Sequence, residues 1–149
     1  MTAGAYCSRE VVVAKPKDSI RTACDLMRRH HVGDIVVVDG DVTPPRPKGI
    51  ITDRDIVLEI LAKDVDLDAV VIGDIMTREI VTTEENTELI EVIRLMQVQG
   101  VRRIPVVDRQ GSLVGIISSD DIIEVIADEM SGLSGLLKRE LAHEKSLRV

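Results

Sequence analysis

Two short segments of this 149-residue chain carry residue types that could hold a ligand: Gly49-Ile50-Ile51-Thr52-Asp53-Arg54-Asp55 and Gly115-Ile116-Ile117-Ser118-Ser119-Asp120-Asp121. Each sets a hydroxyl at the end of an apolar run and a carboxylate three residues later, where a first helical turn would begin. That spacing has two readings. One is a capping box, in which hydroxyl and carboxylate satisfy the orphan amides of a helix start and no ligand is needed. The other is a ribose phosphate site. Amides at a helix N-terminus point outward at the positive end of the dipole, which suits a phosphate. Thr52 and Ser118 could donate to that phosphate, and Asp55 and Asp121 could accept from the two ribose hydroxyls. Gly49 and Gly115, ahead of the apolar pairs, would let backbone and ligand approach closely. Arg54 could add a cation to the phosphate or lie on the exposed helix surface.

Other chemistry finds little support. General acid–base catalysis needs a group that holds a proton, whereas a carboxylate at a helix N-terminus is favoured in its ionised form. Neither a phosphate-binding glycine loop nor G-x-G-x-x-G is present. His30 and His31 are adjacent, so on a helix they point about 100° apart and cannot chelate one metal together. They read as helix-end or surface residues. Two cysteines, Cys7 and Cys24, are too few for a disulfide framework. Cys24 falls on an apolar helix face and reads as a small buried hydrophobe. The chain is therefore expected to be no enzyme, with no required cofactor and no metal site.

Composition narrows the partners. Hydrophobic residues make up 44% of the chain, with one Tyr, no Phe and no Trp, so the core must be aliphatic. A nucleobase would have to sit between aliphatic side chains and backbone instead of stacking on a ring. The net charge of -7 argues against nonspecific binding to DNA, RNA or an anionic membrane. Apolar stretches run only four or five residues, too short to span a bilayer. Met1 to Arg9 has no basic region followed by an apolar segment, so no signal peptide is expected and the location is read as cytoplasmic.

The elements that would position these residues occur twice. Sliding the sequence by 69 positions lays Cys7–Asp39 on Met76–Asp108 without a gap, and ten of those 33 pairs are identical. After deletion of three residues from the first copy's loop, Gly49-Ile50-Ile51 falls on Gly115-Ile116-Ile117 and Asp55-Ile56 on Asp121-Ile122. Each unit of about sixty residues reads as β-α-β-β-α. Val11 to Ala14 and Ile80 to Thr83 are short β-branched runs. Ile20, Ala23, Cys24 and Met27, and likewise Leu89, Val92, Ile93 and Met96, mark helices, with Asp18 and Thr87 as expected N-caps. Ile35–Val38 and Ile104–Val107 read as strands buried on both faces. A loop, proline-rich in the first copy, leads to the strand ending at Ile51 or Ile117. The second helix then covers Asp53 to Leu61 or Ser119 to Asp128. A helix between strands of one sheet implies a right-handed crossover. Sixty residues bury little surface alone, so the copies should pack face to face.

The stretch from about residue 6 to 130 resembles a tandem pair of CBS domains. The resemblance implies an α/β (α+β) fold of two β-α-β-β-α repeats packed with pseudo-twofold symmetry. It divides the chain into repeat 1 (6–63), a linker (64–75), repeat 2 (76–130) and a helical tail (131–149). In that family the strand-to-helix motif G-h-x-[S/T]-x-x-D binds adenosine compounds. This implies that Thr52 and Ser118 contact phosphate or ribose and that Asp55 and Asp121 hold ribose hydroxyls. Val101-Arg102-Arg103-Ile104-Pro105-Val106-Val107-Asp108 is similar to the family's second-strand signature, which makes Arg102 and Arg103 phosphate candidates. Val12, Val13, Val81 and Thr82 would offer backbone to adenine, with Ile35 and Ile104 alongside. Gly33-Asp34 stands where the second copy has Arg102-Arg103, and a carboxylate repels phosphate, so two unequal clefts are expected.

The implied function is a sensor that binds AMP, ADP, ATP or NAD between its repeats and signals by changing their angle. Its output would go to an unknown effector protein. The other reading is an oligomerisation module with non-binding clefts. Ile122, Ile123, Val125 and Ile126 cannot all face one core, which points to a homodimer. Beyond Met130, Ser131-Gly132 and Ser134-Gly135 interrupt the pattern before a weakly amphipathic segment with Leu136, Leu137 and Leu141.

Overall fold

In the computed structural model, residues 1–148 are described; Val149, the end of the expected tail, lies outside them. β1 (Val13–Ala14) pairs parallel with β2 (Asp34–Val38), which pairs antiparallel with β3 (Pro47–Thr52). β4 (Thr83–Glu84), β5 (Arg103–Val107) and β6 (Leu113–Ser118) repeat this arrangement. The registers match as well: Val13 faces Val36 and Thr83 faces Val106, and both antiparallel pairs slip at equivalent places, between Val37 and Val38 and between Val106 and Val107. The crossover helices are α2 (Ile20–His30) and α5 (Leu89–Gln99). Fold class and element order agree with the sequence reading.

Local details depart from it. The first strands begin two or three residues late: Val13–Ala14 pairs in register with β2 and Thr83–Glu84 with β5. The cap of α2 is Ser19, whose hydroxyl accepts from the Thr22 amide, while Asp18 accepts from the Lys15 amide in the preceding turn. At α5 the N-cap is Glu88 instead of Thr87. Both helices end in a left-handed residue, His31 and Gly100, as helices commonly do. Cys24 is exposed, not buried. The face of α2 that meets the sheet is a narrow stripe through Ile20 and Ala23, and position 24 is turned about 100° away from Ala23.

Two aliphatic cores form, one per sheet, and each borrows a helix from the other repeat. α1 (Ala3–Tyr6) precedes the first repeat, yet Ala3 is fully buried in the second core. α4 (Ile72–Ile75) leads into the second repeat, yet Ile72 and Met76 are buried in the first core. The connection is thus no free tether: Val65, Leu67 and Val70 also pack on the first core. The exchange is sewn by isolated bridges, Thr2 to Glu88 and Ser8 to Ile116 on one side, Ser19 to Val71 and Ile50 to Thr77 on the other. Gly49 and Gly115 stand where the borrowed segments cross. A Cβ on Gly49 would lie 2.5 Å from the Thr77 carbonyl oxygen, and one on Gly115 would lie 2.8 Å from that of Ser8. Protein backbone, not ligand, takes the space these glycines leave.

The repeats differ most at their ends. α3 (Asp53–Ile56) runs into a π-helical turn, Val57–Leu61, whereas α6 continues unbroken from Ser119 to Leu147, 29 residues or about 43 Å at 1.5 Å per residue. Ser131-Gly132 and Ser134-Gly135 do not interrupt it. Glycine in a helix interior costs about 1 kcal/mol, too little to outweigh the strong helix formers around it. The second half of α6 stands off the body: Leu133, Leu136, Leu137 and Leu141 are all exposed. Among the described residues, no helix is long and apolar enough to cross a membrane.

Candidate functional site

The site starts from the two helix caps. The Asp55 amide donates to Thr52 Oγ1 at 3.1 Å, and the Thr52 amide donates to Asp55 Oδ2 at 2.9 Å. Ser118 and Asp121 repeat this at 3.1 and 2.9 Å. Both capping boxes are therefore complete. Each cap uses one acceptor site of the hydroxyl and one of the carboxylate. The hydroxyl hydrogen and carboxylate Oδ1 remain for another partner, so capping and ligand binding are compatible at these residues.

β3 and β6 both end at an open cavity of about 790 Å³ between the repeats. Thr52 and Ser118 both line it, as do Arg54, Arg102 and Arg103. Asp34, Asp53 and Asp120 complete its charged wall. Asp55 and Asp121 do not line it, nor do Val12, Val13, Val81 and Thr82. Val12 instead lines a smaller hollow of about 170 Å³, with Val11, Val32, Val36 and Ile116 supplying an apolar wall. Val13 faces a more open groove beside Leu26 and His30. Val81 and Thr82 are half-buried in the second repeat.

Ile35 and Ile104 are not wall residues. They are 1% and 0% exposed and belong to the two cores. Successive side chains of a strand point to opposite faces, so when Ile35 fills the core it is Val36 that meets the hollow. A continuous apolar run gives no phase, which is why the sequence pointed one residue off.

Charge in the central cavity is inverted across the pseudo-twofold axis. Asp34 in the first repeat occupies the position of Arg103 in the second, and Arg54 occupies that of Asp120. Opposite signs at equivalent positions attract, and Arg103 Nε stands 3.3 Å from Asp34 Oδ2. Asp34 is well covered, with 16% of its side chain exposed, and Arg103 less so, with 42%. Burial pushes the Asp34 carboxyl above the usual carboxylate range; Arg103 offsets this in part and neighbouring Asp53 reinforces it. Sequence reasoning foresaw a carboxylate repelling phosphate here, but not its partner in the other repeat. Asp53 and Asp120 were missed too, and the signal for them lay beside the motif hydroxyls. Among the described residues, no three His, Cys, Asp or Glu side chains cluster as metal ligands would.

The chain matches the CBS domain family over residues 3–62 and again over 72–128. It is 36% identical over 124 residues to the CBS domain-containing protein YhcV of Bacillus subtilis, covering 83% of this chain and 84% of that one. It is 34% identical over 125 residues to the uncharacterized protein MK0525 of Methanopyrus kandleri; that match covers 84% of this chain but only 62% of the relative's length. Its fold superposes with a TM-score of 0.74 and 26% identity on the CBS domain pair of protein MJ0100, solved in complex with 5′-methylthioadenosine and S-adenosyl-L-methionine, covering 87% of this chain and 98% of that one. With a family match over each repeat and the two repeats packed around one cavity, the chain belongs to the CBS domain family, as a tandem pair.

Proposed function

We propose that this CBS pair is a regulatory module that binds an adenosine-containing ligand, of the AMP, ADP, ATP or NAD type, between its repeats. The observation that carries this is the central cavity, where both cap hydroxyls and three arginines meet. Arg54, Arg102 and Arg103 would hold phosphate, with Thr52 and Ser118 donating to it. The free oxygens of Asp55 and Asp121 would take ribose hydroxyls if the caps turn slightly toward the cavity. The apolar hollow beside Val12 would take the base without any ring to stack on. The adenosine compounds bound by the MJ0100 pair support the ligand class. Because the cavity has a wall from each repeat, a ligand would change the angle between repeats, and an effector protein would read that change.

Exposed Val57, Leu58, Leu61, Ile123, Ile126 and Met130 support self-association through the second helices. Ultracentrifugation should find a dimer at micromolar concentration, and a monomer there would end that part of the reading. The completeness of both capping boxes favours a second reading, a scaffold whose hydroxyls serve only the helices.

A thermal-shift series with AMP, ADP, ATP, NAD, S-adenosylmethionine and GTP separates the two. A ligand that binds only the folded state raises the midpoint, and more so the tighter it binds. A rise with adenosine compounds and none with GTP supports the module, and no rise with any compound supports the scaffold.

A further inference from the structure

The Asp34–Arg103 pair stands at a junction. Both residues line the central cavity, where the cap hydroxyls and the other two arginines lie, and both line the apolar hollow beside Val12. A ligand with its base in the hollow and its phosphate among the arginines must pass this pair. The pair also ties the first residue of β2 to the first residue of β5, and so one repeat to the other. The charges facing Asp34 here are Arg103 from β5 and Asp53 from α3, with Arg54, Arg102, Asp120 and Glu10 on the same two cavity walls.

Resting on the ligand class argued above, we propose that Asp34 is a resident anion of the site, one that a ligand phosphate displaces from Arg103. Phosphorylated adenosine compounds then open a charge pair between the repeats, and unphosphorylated adenosine leaves it closed. Asp34 thereby sets the concentration at which a phosphorylated ligand takes the site, and links its arrival to the fit between repeats. A guanidinium binds carboxylate and phosphate with the same donors, so the exchange needs no new geometry.

The test compares ATP, AMP and adenosine by titration calorimetry on the full chain and two variants. Asp34→Asn keeps the side chain's shape and removes its charge. It should tighten ATP and AMP about three- to tenfold, tenfold being about 1.4 kcal/mol, and leave adenosine within about twofold. Arg103→Gln should weaken ATP and AMP and leave adenosine unchanged. Circular dichroism confirms that each variant folds.

If the parent chain binds ATP and Asp34→Asn binds it no better, the proposal falls while the ligand class stands. If Asp34→Asn tightens adenosine as much as ATP, the residue acts through packing and the proposal also falls. If neither the parent nor Asp34→Asn binds any of the three compounds at millimolar concentration, the ligand class fails and takes this inference with it.

Discussion

Replacing Gly49 by alanine should destabilise the fold through a clash with protein backbone. The added Cβ would come within 2.5 Å of the Thr77 carbonyl oxygen. That oxygen accepts from the Ile50 amide at 3.1 Å, while the Thr77 amide donates to the Ile50 carbonyl at 2.9 Å, so the clash falls on a doubly bonded bridge. Relieving it means shifting the segment that carries Met76 and Ile72 into the first core. Losing two backbone hydrogen bonds costs about 1 kcal/mol each, and overpacking of this kind adds about 1–3 kcal/mol. The sum, about 3–5 kcal/mol, would lower the melting midpoint by about 6–20 °C in a domain of this size. Gly132→Ala is the control of opposite sign. Nothing lies within 4 Å of its added Cβ, on an exposed helical face, so it should stabilise by up to about 1 kcal/mol. Urea denaturation of both variants, read by circular dichroism, measures the two changes. A Gly49→Ala variant as stable as the parent, but with weakened nucleotide binding, would refute the reasoning and return the glycine to the ligand.

Thr52→Ala and Ser118→Ala should each lose about 1 kcal/mol of stability through the broken cap, and a loss of nucleotide binding at unchanged fold would show that the hydroxyl also serves the ligand. Stability should depend on pH through Asp34: its folded value lies above the ordinary 3.8, so the native state holds this proton longer than the unfolded chain does. Its contribution is full below the ordinary aspartate value and is lost as pH rises through the folded one, a slope that Asp34→Asn should remove from urea titrations and that would be wrongly assigned if it persisted. Burial pushes the Cys7 thiol up, and Cys24 is exposed; iodoacetamide should therefore modify Cys24 well before Cys7, as peptide mass spectrometry would follow, and equal rates would contradict the packing of Cys7 against Gly115.

Much of the site was legible because its determinants are local. Thr52 and Asp55, or Ser118 and Asp121, are three residues apart, so their capping geometry follows from the helix start itself. The repeat, the buried second strands and the order β-α-β-β-α likewise follow from periodicity and internal identity. The family resemblance rested on the same positions, and the match over residues 3–62 and 72–128 agrees with it.

Tertiary structure decided the rest. No local pattern says that Ala3 completes the second core and Ile72 the first, although Gly4 and Gly73 continue the repeat back through the segments that are exchanged. Ile35 and Val36 read alike in an apolar run, and only packing gives one to the core and the other to the hollow. Cys24 keeps helical spacing but misses the sheet, because the contact stripe is narrower than the apolar face. Asp34 and Arg103, far apart in the chain, meet only because the pseudo-twofold axis brings equivalent positions face to face and their charges are opposite. The sequence by itself determined two helix caps and two sheets; the packing of the repeats decided that both caps look into one cavity, since a shared wall exists only when two surfaces are joined.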